Sequence, residues 1–263
     1  MLLDLLEYVI TPCSWPARSL GFLTSSLQVQ ARYRRCRRAW EPHLAHTRRV
    51  ILTAAARCPR RRKAVILGAG LLHDIPLREL AAMFAEVVLV DIVFPWSSRL
   101  AAARFRHVRC LTADVTGTLH ALPRAARDPA LPLPRSEPVL FLDDPALDLT
   151  VSVNLLSQLP VIPAHCLQRR APDALDAWSR ELQEAHLDYL RRLPGQKVII
   201  TDTAGTRRDR AGAIVERWDN LHGLVLPPAT DTWEWNLAPA PEAHPELDHV
   251  VRVAAYAGWE GGN

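Results

Sequence analysis

The chain has 263 residues, 49% of them hydrophobic, enough to bury a full core, and its simplest division is one domain with an N-terminal appendage. No apolar run reaches the length of a membrane span, the N-terminus lacks the basic stretch of a secretory signal, and the five cysteines are scattered without a CxxC pair, so reduced thiols in a cytoplasmic setting are expected. The formal charge of +4 hides an asymmetry: residues 1–63 hold thirteen of the 32 Lys and Arg but only Asp4, Glu7 and Glu41 of the acids, a formal +10, which leaves −6 on the rest.

The basic segment reads as helical. Residues 2–10 have helical spacing, Ser14-Trp15-Pro16 is a break, residues 17–40 suit a long helix interrupted at Gly21, and Pro42 starts another that Cys58-Pro59 ends. Residues 1–62 are therefore expected to form a helical basic extension over one end of the domain that follows. Its arginines have two readings: a solvated face packed on the acidic body, or attraction to nucleic acid, anionic lipid or an acidic substrate. Tyr33 and Trp40 suit base stacking or, more commonly, core contacts, and His43 and His46 share a helix face without acid or cysteine ligands beside them, so no metal is expected.

The body opens at Lys63. Residues 64–67 form an apolar run ending in Gly68-Ala69-Gly70, residues 76–85 have helical spacing, and residues 87–90 form a second apolar run closed by Asp91. Glycines after a buried strand let the backbone approach a ligand, and an acid at the end of the next strand is placed to accept hydrogen bonds from ribose hydroxyls. A nucleoside-containing cofactor is the first hypothesis. Asp74, just before Pro76, is expected mainly to cap the helix. A carboxylate there would also repel a dinucleotide's pyrophosphate while tolerating a cationic cofactor such as S-adenosylmethionine.

Farther along, residues 97–105 read as a helix and residues 108–112 as a third strand leading to Asp114, which can reach an adenine amine or cap a short helix over residues 117–122. The five prolines between 123 and 138 mark a loop. Residues 147–153 are the fourth strand, delivering Asn154; residues 172–193 are an amphipathic helix; residues 197–202 are the fifth strand. Residues 208–218 read as helical. Residues 232–237 and 249–256 are extended with no helix between them, which fits an antiparallel hairpin.

Five parallel strands finished by an antiparallel hairpin, together with Val65-Ile66-Leu67-Gly68-Ala69-Gly70, Val88-Leu89-Val90-Asp91, Leu111-Thr112-Ala113-Asp114 and Asn154-Leu155-Leu156-Ser157, resemble a class I S-adenosylmethionine-dependent methyltransferase over residues 63–256. The resemblance implies an α/β, Rossmann-like, seven-stranded, mostly parallel sheet in a domain spanning residues 63–263. It implies Gly68 and Gly70 against the methionine moiety, Asp91 at the ribose, Asp114 at the adenine, and Asn154 and Leu155 where the methyl group leaves, with Ala69, Asp74, Ile92 and Val115 as further cofactor-binding residues. The sequence departs from the family where Ile66 replaces an acid two places before Gly68 and where Leu71-Leu72-His73 lacks a third glycine; Asp74 is expected to compensate.

The expected activity is methyl transfer to a small or medium-sized organic acceptor, with Asn154 orienting the acceptor or serving as a strand-end turn residue. His73, His165 and His222 are candidate bases by residue type alone, and Cys166 reads as structural. Two other readings stay open: an RNA methyltransferase gripping phosphate through the arginine-rich arm, and a non-catalytic module on the same scaffold. A dehydrogenase is disfavoured by Asp74 and by the terminal hairpin.

Overall fold

The computed structural model describes residues 7–259; residues 1–6, which hold the start of the expected first helix, lie outside the described residues. The chain runs α1 (Trp15–Ser19), α2 (Phe22–Arg57), β1 (Lys63–Leu67), α3 (Leu77–Met83), β2 (Glu86–Asp91), α4 (Trp96–Ala102), β3 (Val108–Thr112), α5 (Leu122–Ala125), β4 (Leu147–Val153), α6 (Val161–Leu167), α7 (Leu175–Arg192), β5 (Gln196–Arg208), β6 (Ile214–Asp219), β7 (Asp231–Ala238) and β8 (Asp248–Ala257).

These strands form one mixed sheet in the order β3-β2-β1-β4-β5-β8-β7. From β3 to β5 all pairings are parallel, while β8 lies antiparallel between β5 and β7. The fold is α/β and Rossmann-like, with the terminal hairpin that the class I methyltransferase resemblance implies. Helices cover both faces, and this is why β1 and β2 read as unbroken apolar runs, while β4 is buried along its whole length although Asp148, Thr150 and Ser152 alternate with its apolar residues. Ile66, Leu89 and Val151 face a cluster with Ile51 of α2, Leu80 of α3 and Ala102 of α4. Val65, Val88 and Ile199 face Leu122, Leu167, Trp178 and Leu182 on the other side. Each fully buried large side chain contributes roughly 1.5–3 kcal/mol relative to exposure.

Three expectations are corrected. The sheet has eight strands, not seven, and residues 208–218 are not helical: β6 pairs antiparallel with the far half of β5. Asp209 makes the turn, its Oδ1 accepting the N–H groups of Ala211 and Ala213 at 2.9 Å each, and Ile214, Val215 and Trp218 then favour an extended strand. Because β5 pairs with β4 over Gln196–Ile200 and with β6 over Ala204–Arg208, β6 continues the line of β4 beyond the sheet's carboxyl edge. Pro42 does not start a helix either; α2 passes through it unbroken. The hydrogen bond that proline removes is outweighed by packing, since Trp40 and Leu44 are buried with Trp235 and Leu237 of β7 on either side of it. The third correction is the short helix, which spans Leu122–Ala125 rather than residues 117–122.

The chain winds outward from β1 through β2 to β3 and then crosses back to β4 on the other side of β1. This reversal opens a crevice at the carboxyl ends of β1 and β4, where ligands of open α/β sheets bind.

Candidate functional site

A cavity of about 360 Å³ occupies that crevice, and every residue expected at the site lines it except Ala69, which is fully buried beneath. Gly68 follows β1 at φ +85°; a Cβ added there would lie 2.5 Å from the Val153 carbonyl oxygen and 3.2 Å from Leu155 Cβ. A Cβ on Gly70 would lie 2.9 Å from both Asp91 Oδ2 and the Val93 carbonyl oxygen. Both positions thus exclude a side chain, and the loop backbone stays open to the cavity.

The loop departs from expectation after Gly70. Helix α3 begins only at Leu77, with Pro76 at its N-cap and no side-chain cap, so its N-terminus does not abut the glycines and Asp74 does not cap it. The intervening turn places Leu72 at φ +60°, a conformation that bulky residues rarely adopt. Asp74 instead turns toward the cavity, where its Oδ2 accepts a hydrogen bond from Asn154 Nδ2 at 2.6 Å.

Asp91 ends β2 with Oδ2 accepting from the Gly70 N–H at 2.8 Å and Oδ1 from the Val93 N–H at 3.2 Å. Each oxygen keeps a second lone pair. Burial pushes the Asp91 carboxyl up to about 6 against those hydrogen bonds, with the Asp74 charge adding to the rise; burial raises Asp74 too. Neither carboxylate makes an ion pair among the described residues, so the pocket carries negative charge that a cation would relieve. Asp114 is taken up by its own loop: Oδ1 accepts from the Thr116 N–H at 2.8 Å and hydroxyl at 2.7 Å, and Oδ2 from the Leu119 N–H at 2.8 Å. These bonds hold the turn over residues 114–119 and cap no helix, since α5 begins at Leu122 without a side-chain cap, and Asp114 also stands on the cavity wall.

Asn154 follows β4 at φ +47°, the left-handed region that Asn tolerates better than most residues. Its amide is held between two distant segments, Asp74 on one side and His43 of α2 on the other, with His43 Nε2 3.3 Å from Nδ2. The histidine's tautomer follows from its other contact: Trp233 Nε1–H donates to His43 Nδ1 at 3.0 Å. An indole N–H only donates, so the proton of the neutral ring sits on Nε2. Burial holds the ring neutral by pressing its pKa down to about 3. Two donors therefore face each other while Asn154 Oδ1 is buried without a partner. Turning the amide over would pair Oδ1 with His43 Nε2–H only if Asp74 carried a proton; with Asp74 ionised, Nδ2 stays on the carboxylate and Oδ1 is the group left over.

The remaining wall was not legible as a site. Helix α2 contributes Phe22, Arg32, Trp40, His43 and Leu44, and the C-terminal strands contribute Trp235, Leu237 and Val251. Trp40 Nε1–H donates to the Leu237 carbonyl at 2.9 Å, and His43 stacks on Trp235 with centroids 3.9 Å apart and planes 3° from parallel. His46 stacks on Trp233 and bonds Asp231 at 2.7 Å, so the two histidines singled out for their spacing anchor the helix to β7. The sequence signal was the alternation of Trp233 and Trp235, which puts both on one face of a strand. Asp202, at the bulge of β5, also lines the cavity, with Oδ1 2.5 Å from the Ser157 hydroxyl and Oδ2 2.6 Å from Asn220 Nδ2.

Of the candidate bases, His73 lines the cavity, stacks on Tyr33 at 3.7 Å and is held neutral by burial and by Arg48 and Arg34, its pKa about 4. His222 bonds Asp176 at 2.5 Å on the surface, and His165 is exposed on α6; neither lines the cavity. The basic face of α2 is largely paired: Arg35 meets Glu242 at 2.6 Å, Arg34 meets Glu7 at 3.7 Å and Arg49 meets Asp231 at 3.2 Å. No helix among the described residues is long and apolar enough to cross a membrane.

No family model matches the chain, and no curated protein matches it. Among solved structures the chain is similar to the Burkholderia thailandensis 1,6-didemethyltoxoflavin-N1-methyltransferase, solved with 1,6-didemethyltoxoflavin and S-adenosylhomocysteine, at 17% identity over 93% of this chain and 92% of that one, with a TM-score of 0.39. It is also similar to the 23S rRNA methyltransferase ErmE, at 13% identity over 82% of this chain and 71% of that one, with a TM-score of 0.31. DhpI, solved in complex with SAH, matches at 12% identity over 86% of this chain and 94% of that one, with a TM-score of 0.35.

Proposed function

We propose that this chain is a methyltransferase that uses S-adenosylmethionine and acts on a small or medium-sized organic acceptor. The observation that carries the reading is the pairing of a side-chain-free cradle at Gly68 and Gly70 with two half-buried carboxylates, Asp74 and Asp91, that make no ion pair among the described residues, at the crevice between β1 and β4. That combination fits a ligand with ribose hydroxyls and a positive charge, and does not fit a pyrophosphate.

When bound, S-adenosylmethionine supplies a methyl group already activated on a sulfonium. The chain's own part is then to bind and position. In this reading Gly68 and Gly70 admit the amino-acid end, Asp91 accepts hydrogen bonds from the ribose hydroxyls through its free lone pairs, and Asp114, Ile92 and Val115 flank the adenine. Asn154 and Leu155 border the transfer point, and Asn154 orients the acceptor's nucleophile. Trp40, Trp235 and Leu237 keep water from the acceptor side, and neutral His43 holds no charge that would repel a cationic cofactor. Alignment of the reacting atoms supplies most of the acceleration.

The small acceptor is preferred to RNA because Arg35 and Arg49 of α2 are paired with acids of the body, Glu242 and Asp231, and because the wall facing Asn154 is apolar and aromatic. Calorimetric titration with S-adenosylhomocysteine, with NAD in parallel, tests the reading: micromolar binding of the first and none of the second is expected. Binding of NAD alone would overturn it, and binding of neither would favour a non-catalytic scaffold. RNA binding that weakens steeply with salt would restore the RNA alternative.

A further inference from the structure

We propose that the acceptor is an organic oxyanion with an apolar, ring-sized body, and that Arg32 receives its anionic group; this rests on the methyltransferase reading of the cavity. The cavity is charged unequally. Asp74, Asp91 and Asp114 line the part built on β1, β2 and β3, and Asp202 the part at β5, whereas Arg32, on the side of α2 that meets the β7–β8 loop, is the one arginine or lysine of the wall among the described residues.

Arg32 has donors to spare. Its Nε lies 3.5 Å from Glu242 Oε1, an ion pair without hydrogen-bond geometry, and is buried with no hydrogen-bond partner. The same carboxylate is already held by Arg35, whose Nε and Nη2 reach Glu242 at 2.8 and 2.6 Å in a two-pronged grip. Glu242 is held chiefly by Arg35, and while the buried Arg32 Nε lies beside that carboxylate, the two Nη groups of Arg32 make no hydrogen bond among the described residues and are the donors it offers at the cavity wall. A planar guanidinium meets carboxylate, sulfonate or phosphate oxygens with paired N–H donors. Around it the wall is Val29, Trp40, Trp235, Leu237 and Val251, which suits a flat hydrocarbon body.

The test uses three probes that share one ring system: 2-naphthoate, 2-naphthalenesulfonate and neutral 2-naphthamide, titrated into the full chain with and without saturating S-adenosylhomocysteine. At least one anion is expected to bind tenfold or more tightly than the amide, and which anion does so separates a planar from a tetrahedral oxyanion. Arg32→Gln should weaken the anion at least tenfold and leave both amide binding and S-adenosylhomocysteine binding unchanged, while Arg32→Lys falls between. Glu242→Gln, which removes the shared ion pair but not the guanidinium, should retain the anion. Equal binding of amide and anions, binding of no probe, wild-type affinity in Arg32→Gln, or an equal loss in Glu242→Gln would each overturn the proposal. Loss of S-adenosylhomocysteine binding in the wild type would instead strike the underlying reading, and the cofactor-free titration would still report on Arg32.

Discussion

The two halves of the cavity are built on different scales. On the β1–β3 side, Asp91 and Asp114 are held by residues near them in sequence: Gly70 and Asp91 are bonded 21 residues apart, and Asp114 is bonded to residues two and five places on, with the 80-residue Asp74–Asn154 contact at the border of this half. On the α2–β7 side the contacts that shape the wall join residues 190 apart for His43 and Trp233, 197 for Trp40 and Leu237, and 207 for Arg35 and Glu242. The first half is a set of turns after strands. The second exists only when the start and end of the chain pack together, and damage to the two halves should therefore separate into loss of binding and loss of stability.

The largest expected effect comes from the local half. Gly68→Val places a Cβ against the Val153 carbonyl and a β-branched residue at φ +85°, so S-adenosylhomocysteine binding should vanish in calorimetry. Normal binding would mean that this turn does not face the cofactor. In the distant half, Trp40→Ala should lower the unfolding free energy by about 3–5 kcal/mol, as for other large-to-small changes of buried aromatics. Denaturant unfolding reads the loss, and cofactor affinity measured on the folded variant should stay near wild type. A loss of affinity with stability intact would erase the distinction between the halves.

Smaller effects sharpen it. Asp91→Ala should weaken S-adenosylhomocysteine by about 1–3 kcal/mol with the fold intact, the range for hydrogen bonds to a charged group; unchanged affinity would place the ribose elsewhere. The pH dependence follows from the raised carboxyl. With Asp91 pushed up to about 6 in the free protein, and ribose hydroxyls favouring its ionised form, affinity should be full above pH 6 and fall by up to about tenfold per unit below it. Asp74, also raised, acts in the same direction. The stability contribution of Asp91 has the same origin: the folded form keeps a proton that the unfolded chain releases, so the contribution is present below pH 4 and is lost as pH rises toward 6. Asp91→Asn should flatten the affinity profile, and an unchanged slope would assign it to another group. The smallest change is Arg49→Ala, whose exposed pair with Asp231 should be worth less than about 1 kcal/mol by thermal unfolding.

The sequence by itself determined the order of elements from β1 to β5, the C-terminal hairpin, and the turn residues Gly68, Gly70, Asp91, Asp114 and Asn154, because apolar runs, glycines and strand-end acids are local signals. It misread residues 208–218, where charged residues at helical spacing masked a strand whose formation depends on an overlong β5 to pair with. It also misread Pro42, where a local helix breaker is overridden by the burial of Trp40 and Leu44 against β7. Tertiary structure alone decided that Asp74 reaches Asn154 instead of capping α3, that His43 meets both Asn154 and Trp233, and that Arg32 reaches the cavity. Those contacts depend on the packing of segments that are neighbours only after the sheet has closed and α2 has laid itself along β7, and residue spacing within any one segment carries no record of them.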